Sequence, residues 1–277
     1  MKCYYHNADF DGICSGAIIL HKYPECEMIG VDYGDSIVFQ NIDPGETIFM
    51  VDFSLSSDDM IRLRDRCAFT WIDHHKSAID LSYAKGYNNI KGIRRNDIAA
   101  AALTWDFFYD LPVPIPVHFI SEYDLWNLSQ DVVYFQLFLQ RMNLSVFHAD
   151  WQTFFKNPDT LPNYHMLATG ADIYTHMYHT VGKAIKNTAI QLPWEGMNCL
   201  CMNLYLSSSL MYDMISDGEK YDMLIAYNIQ ANGRYKVSLR TRQENVDVSR
   251  VAVKFGGGGH KKAAGFICNE LPWKETK

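Results

Sequence analysis

The chain has 277 residues, 48% of them hydrophobic, enough to bury a core in one large domain or two modest ones, and this composition excludes a disordered class. The formal charge of −7 argues against a general positive coat for long nucleic acid. Seven cysteines with no CxxC pair argue against a disulfide framework or a structural zinc site and fit free thiols in a reducing cytosol. No apolar run approaches the ~20 residues of a membrane span. Asp9 and Asp11 arrive before any signal-peptide core. A soluble, cytoplasmic protein with no membrane partner is expected.

In chain order, "CYYH" (3–6) predicts a strand and "GICSGAIILHKY" (12–23) a helix. "EMIGV" (27–31) and "TIFMV" (47–51) predict two more strands. Residues 56–67 predict a helix capped by Ser56 or Ser57, and "AFTWI" (68–72) a fourth strand. Strands alternating with helices imply a parallel α/β sheet. From about residue 97 the pattern turns helical. Helices are expected over 97–111 and 132–142, separated by a break at "PVPIP" (112–116), and over 163–189. "LPWEG" (192–196) reads as a break and domain boundary. Beyond it, strands at 197–206, 221–229, 233–242 and 263–268 and helices at 208–217 and 246–255 describe a second, smaller α/β unit. The expected domains are residues 1–145, a helical connector over 146–192, and 193–277.

Three apolar runs end in groups that ligate metals. The first runs into "HNADFDG", with His6, Asp9 and Asp11; the third ends at Asp52; the fourth ends in Asp73, His74 and His75. In an open parallel sheet, ligands bind outside the C-terminal strand ends. If these strands are neighbours, at least four carboxylates converge, and they need a counter-charge to stay ionised. Mixed Asp and His donors suit manganese, iron or zinc better than calcium. More than four ligands suggests two metals, the usual arrangement for phosphate-ester hydrolysis. The bland alternatives are a turn or cap aspartate and a satisfied core histidine pair; the ordered combination favours the metal.

"HNADFDG", "MVDFS" and "IDHHK", in this order, resemble the DHH phosphoesterases, and "FGGGGHKKAAGF" (255–266) resembles the signature of their associated C-terminal domain. The resemblance implies a parallel-sheet DHH catalytic domain, a helical connector and a smaller α/β domain with a GGGGH loop. Among family members the chain is most similar to nanoRNases and related small-nucleotide phosphodiesterases. It implies two divalent ions, usually Mn²⁺: one held by His6, Asp9 and Asp52, the other by Asp11, Asp52, His74 and a later aspartate, with Asp52 bridging. Asp124 in "SEYDLW" is the best match for that aspartate, with Asp106 and Asp131 as alternatives. The family's first motif often has three residues between its histidine and first aspartate; here Asn7 and Ala8 make two. Asp73 would orient a histidine, and His75 would face the substrate phosphate or leaving group. The catalytic residues are then Asp52, His74 and His75.

The tetraglycine Gly256–Gly259 lacks the Walker spacing, yet without Cβ atoms it lets backbone N–H groups approach a phosphate or base. In the family this loop and its histidine, here His260, bind the far end of the substrate; a structural turn is the alternative. Arg234 to Lys262 holds eight basic and two acidic residues, a net +6, so the rest of the chain carries −13. Arg240 is the best phosphate clamp, because its fork binds phosphate bidentately. Arg242 is assigned to a solvated strand face, and Arg94 and Arg95 could also reach a phosphate.

The expected activity is metal-dependent hydrolysis of short single-stranded oligoribonucleotides or linear dinucleotides to nucleoside monophosphates, by a hydroxide activated between two metals. A homodimer is compatible with it. The rivals are a 3′-phosphoadenosine 5′-phosphate phosphatase, a pyrophosphatase or exopolyphosphatase, and a binding protein that keeps the fold without turnover.

Overall fold

A computed structural model describes residues 1–33, 35, 39–156, 161–205 and 209–275. The chain divides into two compact units, Met1–Ile173 and Tyr174–Lys277, so the expected 146–192 connector is shared between them.

The first unit opens with β1 (Lys2–His6), α1 (Phe10–Lys22), β2 (Glu27–Val31), β3 (Thr47–Val51), α2 (Ser57–Arg66), β4 (Ala68–Ile72) and α3 (Lys76–Lys85). The four strands pair in parallel in the order β2-β1-β3-β4. Alternate side chains of each strand enter different cores. Cys3, Tyr5, Phe49 and Val51 join one cluster, while Tyr4, Ile48 and Met50 join another. Both faces are therefore covered, which is why the strands read as unbroken apolar runs rather than alternating ones. One face packs on α1 and the helices that follow: α4 (Ala100–Phe108), α5 (Ile115–Asp124), α6 (Gln130–Met142) and α7 (Asp150–Lys156). The other packs with α2 and α3.

Two expectations change here. The break at 112–116 is only a short loop, because Pro114 caps α5 and Pro116 sits in its first turn, where a missing N–H costs nothing. Helices α3, α5 and α7 were not anticipated. α3 has little apolar periodicity to announce it, since only Ala78 and Ser82 are buried.

The unit boundary falls within α8 (Tyr164–Thr188), and the second unit continues with β5 (Ile190–Trp194), β6 (Met197–Asn203), α9 (Leu210–Asp213), β7 (Met223–Ile229), β8 (Tyr235–Arg240), α10 (Val248–Lys254), β9 (Gly258–His260) and β10 (Ala263–Cys268). They form one six-stranded sheet, β5-β6-β7-β8-β10-β9. The expected break at 192–196 is instead a β-hairpin. Pro193 is tolerated because β5 is an edge strand, and Glu195 and Gly196, with φ of 54° and 74°, form the two-residue turn. The helix expected over 208–217 shortens to α9. Its first residue and the end of the strand expected to 206 lie outside the described residues.

Candidate metal centre

Because β1, β3 and β4 are adjacent and parallel, their C-terminal ends bring His6, Asp52 and the Asp73–His75 segment together. The strand order reverses direction at β1/β3, the place where an open α/β sheet leaves a crevice. Asp9 is the N-cap of α1 and accepts from the Gly12 N–H at 3.0 Å. Gly12 lets this helix start close against β1, since a Cβ there would lie 2.1 Å from the His6 carbonyl oxygen. One turn on, the Asp11 carboxylate accepts from the Ala100 and Ala101 N–H groups, both at 2.8 Å, at the N-terminus of α4. Asp124 is the last residue of α5.

Three groups of three result, each with its ligand atoms close enough to share an ion: His6, Asp9 and Asp52; Asp11, His74 and Asp124; and Asp52, His74 and His75. His6 Nδ1 lies 3.1 Å from Asp9 Oδ2 and 3.4 Å from Asp52 Oδ2. His74 Nε2 lies 3.3 Å from both Asp124 Oδ2 and Asp52 Oδ1, and 3.7 Å from Asp11 Oδ2. Asp52, only 1% exposed, thus turns one oxygen to each of the first two groups. Its backbone takes a left-handed conformation (φ 54°), which an aspartate tolerates better than most residues. Of the three aspartates considered for the later position, Asp124 is the one in these groups. Asp106 and Asp131 join no such cluster among the described residues. His75 also lies within reach of Asp52 and His74, and Asp73, fully buried, accepts its Nδ1–H at 2.8 Å. The same carboxylate accepts the backbone N–H groups of His74 and His75.

The electrostatics show a site short of positive charge. Asp52 and Asp9 push the His6 imidazole up to about 10, and Asp73 pushes His75 up to about 9. Burial opposes a charge on His74, but Asp52 and Asp124 outweigh it and its pKa rises. Burial, then the charges of Asp52 and Asp124, hold the Asp11 carboxyl well above the usual carboxylate range. Burial above all brings Asp124 to about 6. Both His6 ring nitrogens and Asp52 Oδ1 are buried without an aligned hydrogen bond among the described residues, despite the short distances. Orphaned buried acceptors and proton-hungry carboxylates are what a divalent cation would satisfy, and the Asp/His donor set fits one.

In the second unit, Arg240 at the end of β8 donates to Ser209 Oγ at 2.7 Å and lies 5.2 Å from the Tyr212 ring centroid, so its guanidinium is held in place. Arg242 is not on a solvated face. It donates to the carbonyls of Tyr212, Asp213 and Ile215, satisfying the end of α9. Arg94 is likewise committed, to the carbonyls of Trp71, Asn88 and Ile90, which leaves little of its fork for a phosphate. Arg95 is exposed and pairs with Asp97. The tetraglycine has a structural share. A Cβ on Gly257 would lie 2.1 Å from the Gly265 carbonyl, and one on Gly259 2.5 Å from that of Ala263, whereas Gly258 faces open space. Gly258–His260 form the edge strand β9, and all three are exposed.

Residues 207–275 match the DHHA1 domain. The chain thus carries a C-terminal DHHA1 domain. It is similar to the uncharacterized protein R106 of Acanthamoeba polyphaga mimivirus, 24% identical over 292 residues, covering 95% of this chain and 66% of that protein, just under two thirds of its length. Its fold is similar to that of the pGpG-specific phosphodiesterase PggH from Vibrio cholerae (TM-score 0.60, 11% identity, 96% of this chain and 92% of that one). It is also similar to the DHH domain of a member of a family of ribosomal proteins (TM-score 0.57, 12% identity, 96% and 82%).

The groups around Asp52 are where the first unit could hold metal ions. Two neighbours of the centre were missed in the sequence. Asp32 Oδ1 lies 3.4 Å from His6 Nε2, and the Tyr33 ring sits edge-on to both His6 and His75, with centroids 5.4 and 6.1 Å away. Asp32 follows β2 as Asp52 follows β3, so the rule that located Asp52 would have found it. No helix among the described residues is long and apolar enough to cross a membrane.

Proposed function

We propose that this protein is a DHH-type phosphodiesterase that hydrolyses short single-stranded oligoribonucleotides or linear dinucleotides to nucleoside monophosphates. The observation that carries it is Asp52, a buried carboxylate with one oxygen 3.4 Å from His6 and the other 3.3 Å from His74. A carboxylate so placed suits a pair of ions that share a ligand. His6, Asp9 and Asp52 would hold one; Asp11, Asp52, His74 and Asp124 would hold the other. The ions, which we assign as Mn²⁺, supply Lewis-acid polarisation of the phosphoryl group and a nucleophile at neutral pH.

The chain's own residues do the rest. Asp73 fixes the His75 ring through Nδ1, leaving Nε2 to hydrogen-bond the phosphate or protonate the leaving oxygen. The Asp73 carboxylate raises the His75 pKa above the ordinary imidazole value, which favours that proton on the ring. Arg240, His260 and the Gly256–Gly259 loop bind the terminal nucleotide, in the segment that carries the net +6. PggH, whose overall fold is similar, acts on pGpG, a substrate of the class proposed here. The Asp/His cluster by itself serves a phosphoanhydride as well as a phosphodiester, so the basic DHHA1 segment is what favours a nucleotide.

The test is hydrolysis of end-labelled RNA dinucleotide and pentanucleotide with Mn²⁺, beside a chelator control and Asp52→Asn. Pyrophosphate, polyphosphate and 3′-phosphoadenosine 5′-phosphate complete the panel. Monophosphate release abolished by both controls is expected. Turnover of pyrophosphate or polyphosphate alone would replace the nucleotide assignment with a phosphoanhydride one.

A further inference from the structure

Beside Asp9, Asp11 and Asp124, and so bordering two of the groups around Asp52, the first unit has a pocket of about 350 Å³, including its open mouth. That volume counts the solvent at its mouth, so the enclosed space takes no more than a single ring system. Phe10 and Ile120 make its wall apolar, and Tyr123 and Trp126, with ring centroids 5.7 Å apart, add two aromatic rings. Two features stand out. Gln136 lines the pocket from α6, is only 6% exposed, and its Oε1 has no hydrogen-bond partner among the described residues. A buried, unpaired amide oxygen is costly unless something outside the chain donates to it. Trp126 sits just past the end of α5 with φ 63°, where helices usually place glycine, and it is 46% exposed. The strain of a bulky residue there leaves nearly half of it in solvent rather than in a core, and strained residues persist where a ligand uses them.

We propose that this pocket is a purine subsite, in which the base stacks on Trp126 and donates an N–H to Gln136 Oε1. Base–aromatic stacking is tolerant of sequence, and a larger purine covers more of the indole. An amide pairs with a purine's donor–acceptor edge. The assignment rests on the nucleotide phosphodiesterase reading, because the pocket adjoins Asp11 and Asp124. It places one base of the substrate on the DHH unit.

Binding of free nucleosides separates the two ideas, since a nucleoside has no phosphate for metals to act on. Guanosine, adenosine, cytidine and uridine are titrated calorimetrically into the full chain, into Gln136→Met and into Trp126→Gly. Guanosine or adenosine is expected to bind about tenfold more tightly than either pyrimidine nucleoside, and each substitution should abolish that preference. Trp126→Gly removes the left-handed strain, so its melting temperature should not fall, which separates lost binding from lost folding. Equal affinity for all four nucleosides, or variants that keep the wild-type preference, would overturn the subsite. Hydrolysis of bis(p-nitrophenyl) phosphate by the Mn²⁺-loaded wild type is measured alongside. Turnover of that base-free diester without purine preference sinks the subsite alone. Purine preference without any turnover sinks the phosphodiesterase reading and leaves a purine-binding pocket.

Discussion

The two units treat polar groups in opposite ways. Around Asp52, buried carboxylates and imidazoles crowd together with too few hydrogen bonds between them, and their protonation equilibria are displaced upward. In the DHHA1 unit several conspicuous charged groups are instead partnered by the chain itself. Arg242 closes the end of α9, Lys262 pairs with Glu244 and the Gln243 carbonyl, and two of the four loop glycines are explained by close backbone packing. Polar groups that the fold leaves unsatisfied mark chemistry, whereas a conspicuous motif whose atoms are satisfied can be architecture.

The largest test of that contrast is Asp52→Asn. Losing the shared carboxylate should lower phosphodiesterase activity on the order of 10²–10³-fold. Thermal unfolding separates this from misfolding. Wild-type protein should be stabilised by Mn²⁺, by about 2.7 kcal/mol at a hundred times its dissociation constant. The variant should lose most of that gain while remaining folded without metal. A variant that keeps the Mn²⁺ gain would remove Asp52 from the ligand set.

Asp73→Asn comes next. Asp73 reaches the chemistry only through His75 and the backbone of the strand end, so its loss should cost about 10–100-fold in kcat. Without the Asp73 charge the His75 pKa should drop from about 9, moving the alkaline limb of the kcat profile to lower pH. An unchanged pH profile would show that His75 does not hold the working proton.

In the second unit, Arg240 and Arg242 stand two residues apart on the chain and should separate cleanly. Arg242→Ala strands three carbonyls and should destabilise the protein by about 2 kcal/mol, read as a lower urea midpoint, with little change in KM. Arg240→Ala loses one side-chain hydrogen bond and a ring contact, so its stability should fall less while KM for the nucleotide rises. The reverse pattern would make Arg242 the phosphate clamp.

Much of the centre was legible because strand ends obey a simple rule. Each of the three apolar runs holds to its expected place and ends in the ligand types found together. Asp124 was reachable only through the family's motif, since α5 begins at a proline-flanked loop that reads as a break. Asp32 was overlooked because β2, the edge strand, carries no recognised motif. Gln136 could not be found at all: a glutamine in an apolar helix reveals its missing partner only once the pocket is built. Arg94 and Arg242 misled for the opposite reason. A basic residue in a loop or on a strand looks free until the carbonyls it serves are placed by distant segments.

The smallest predicted effect, and the one that separates protons from metal as the missing charge, is the pH dependence of stability. In metal-free protein, His6 and His75 have folded pKa values of about 10 and 9, above the ordinary 6.5. The stability they contribute is fully present below pH 6.5 and is lost as pH rises through 9 to 10. Asp124, raised to about 6, adds stability that is present below 3.8 and lost through about 6, the same sign in a more acidic window. Asp9, whose pKa is lowered by His6 against the effect of burial, acts oppositely and limits the gain in acid. The melting temperature of chelated protein should therefore decline from about pH 6.5 to 10. Divalent ions compete with these same protons, so at a fixed, subsaturating Mn²⁺ concentration the metal-induced gain should grow with pH over the window where the metal-free protein weakens. If the Mn²⁺ gain is instead flat from pH 6.5 to 9, the ions bind away from His6 and His75, and the carboxylate cluster needs another counter-charge.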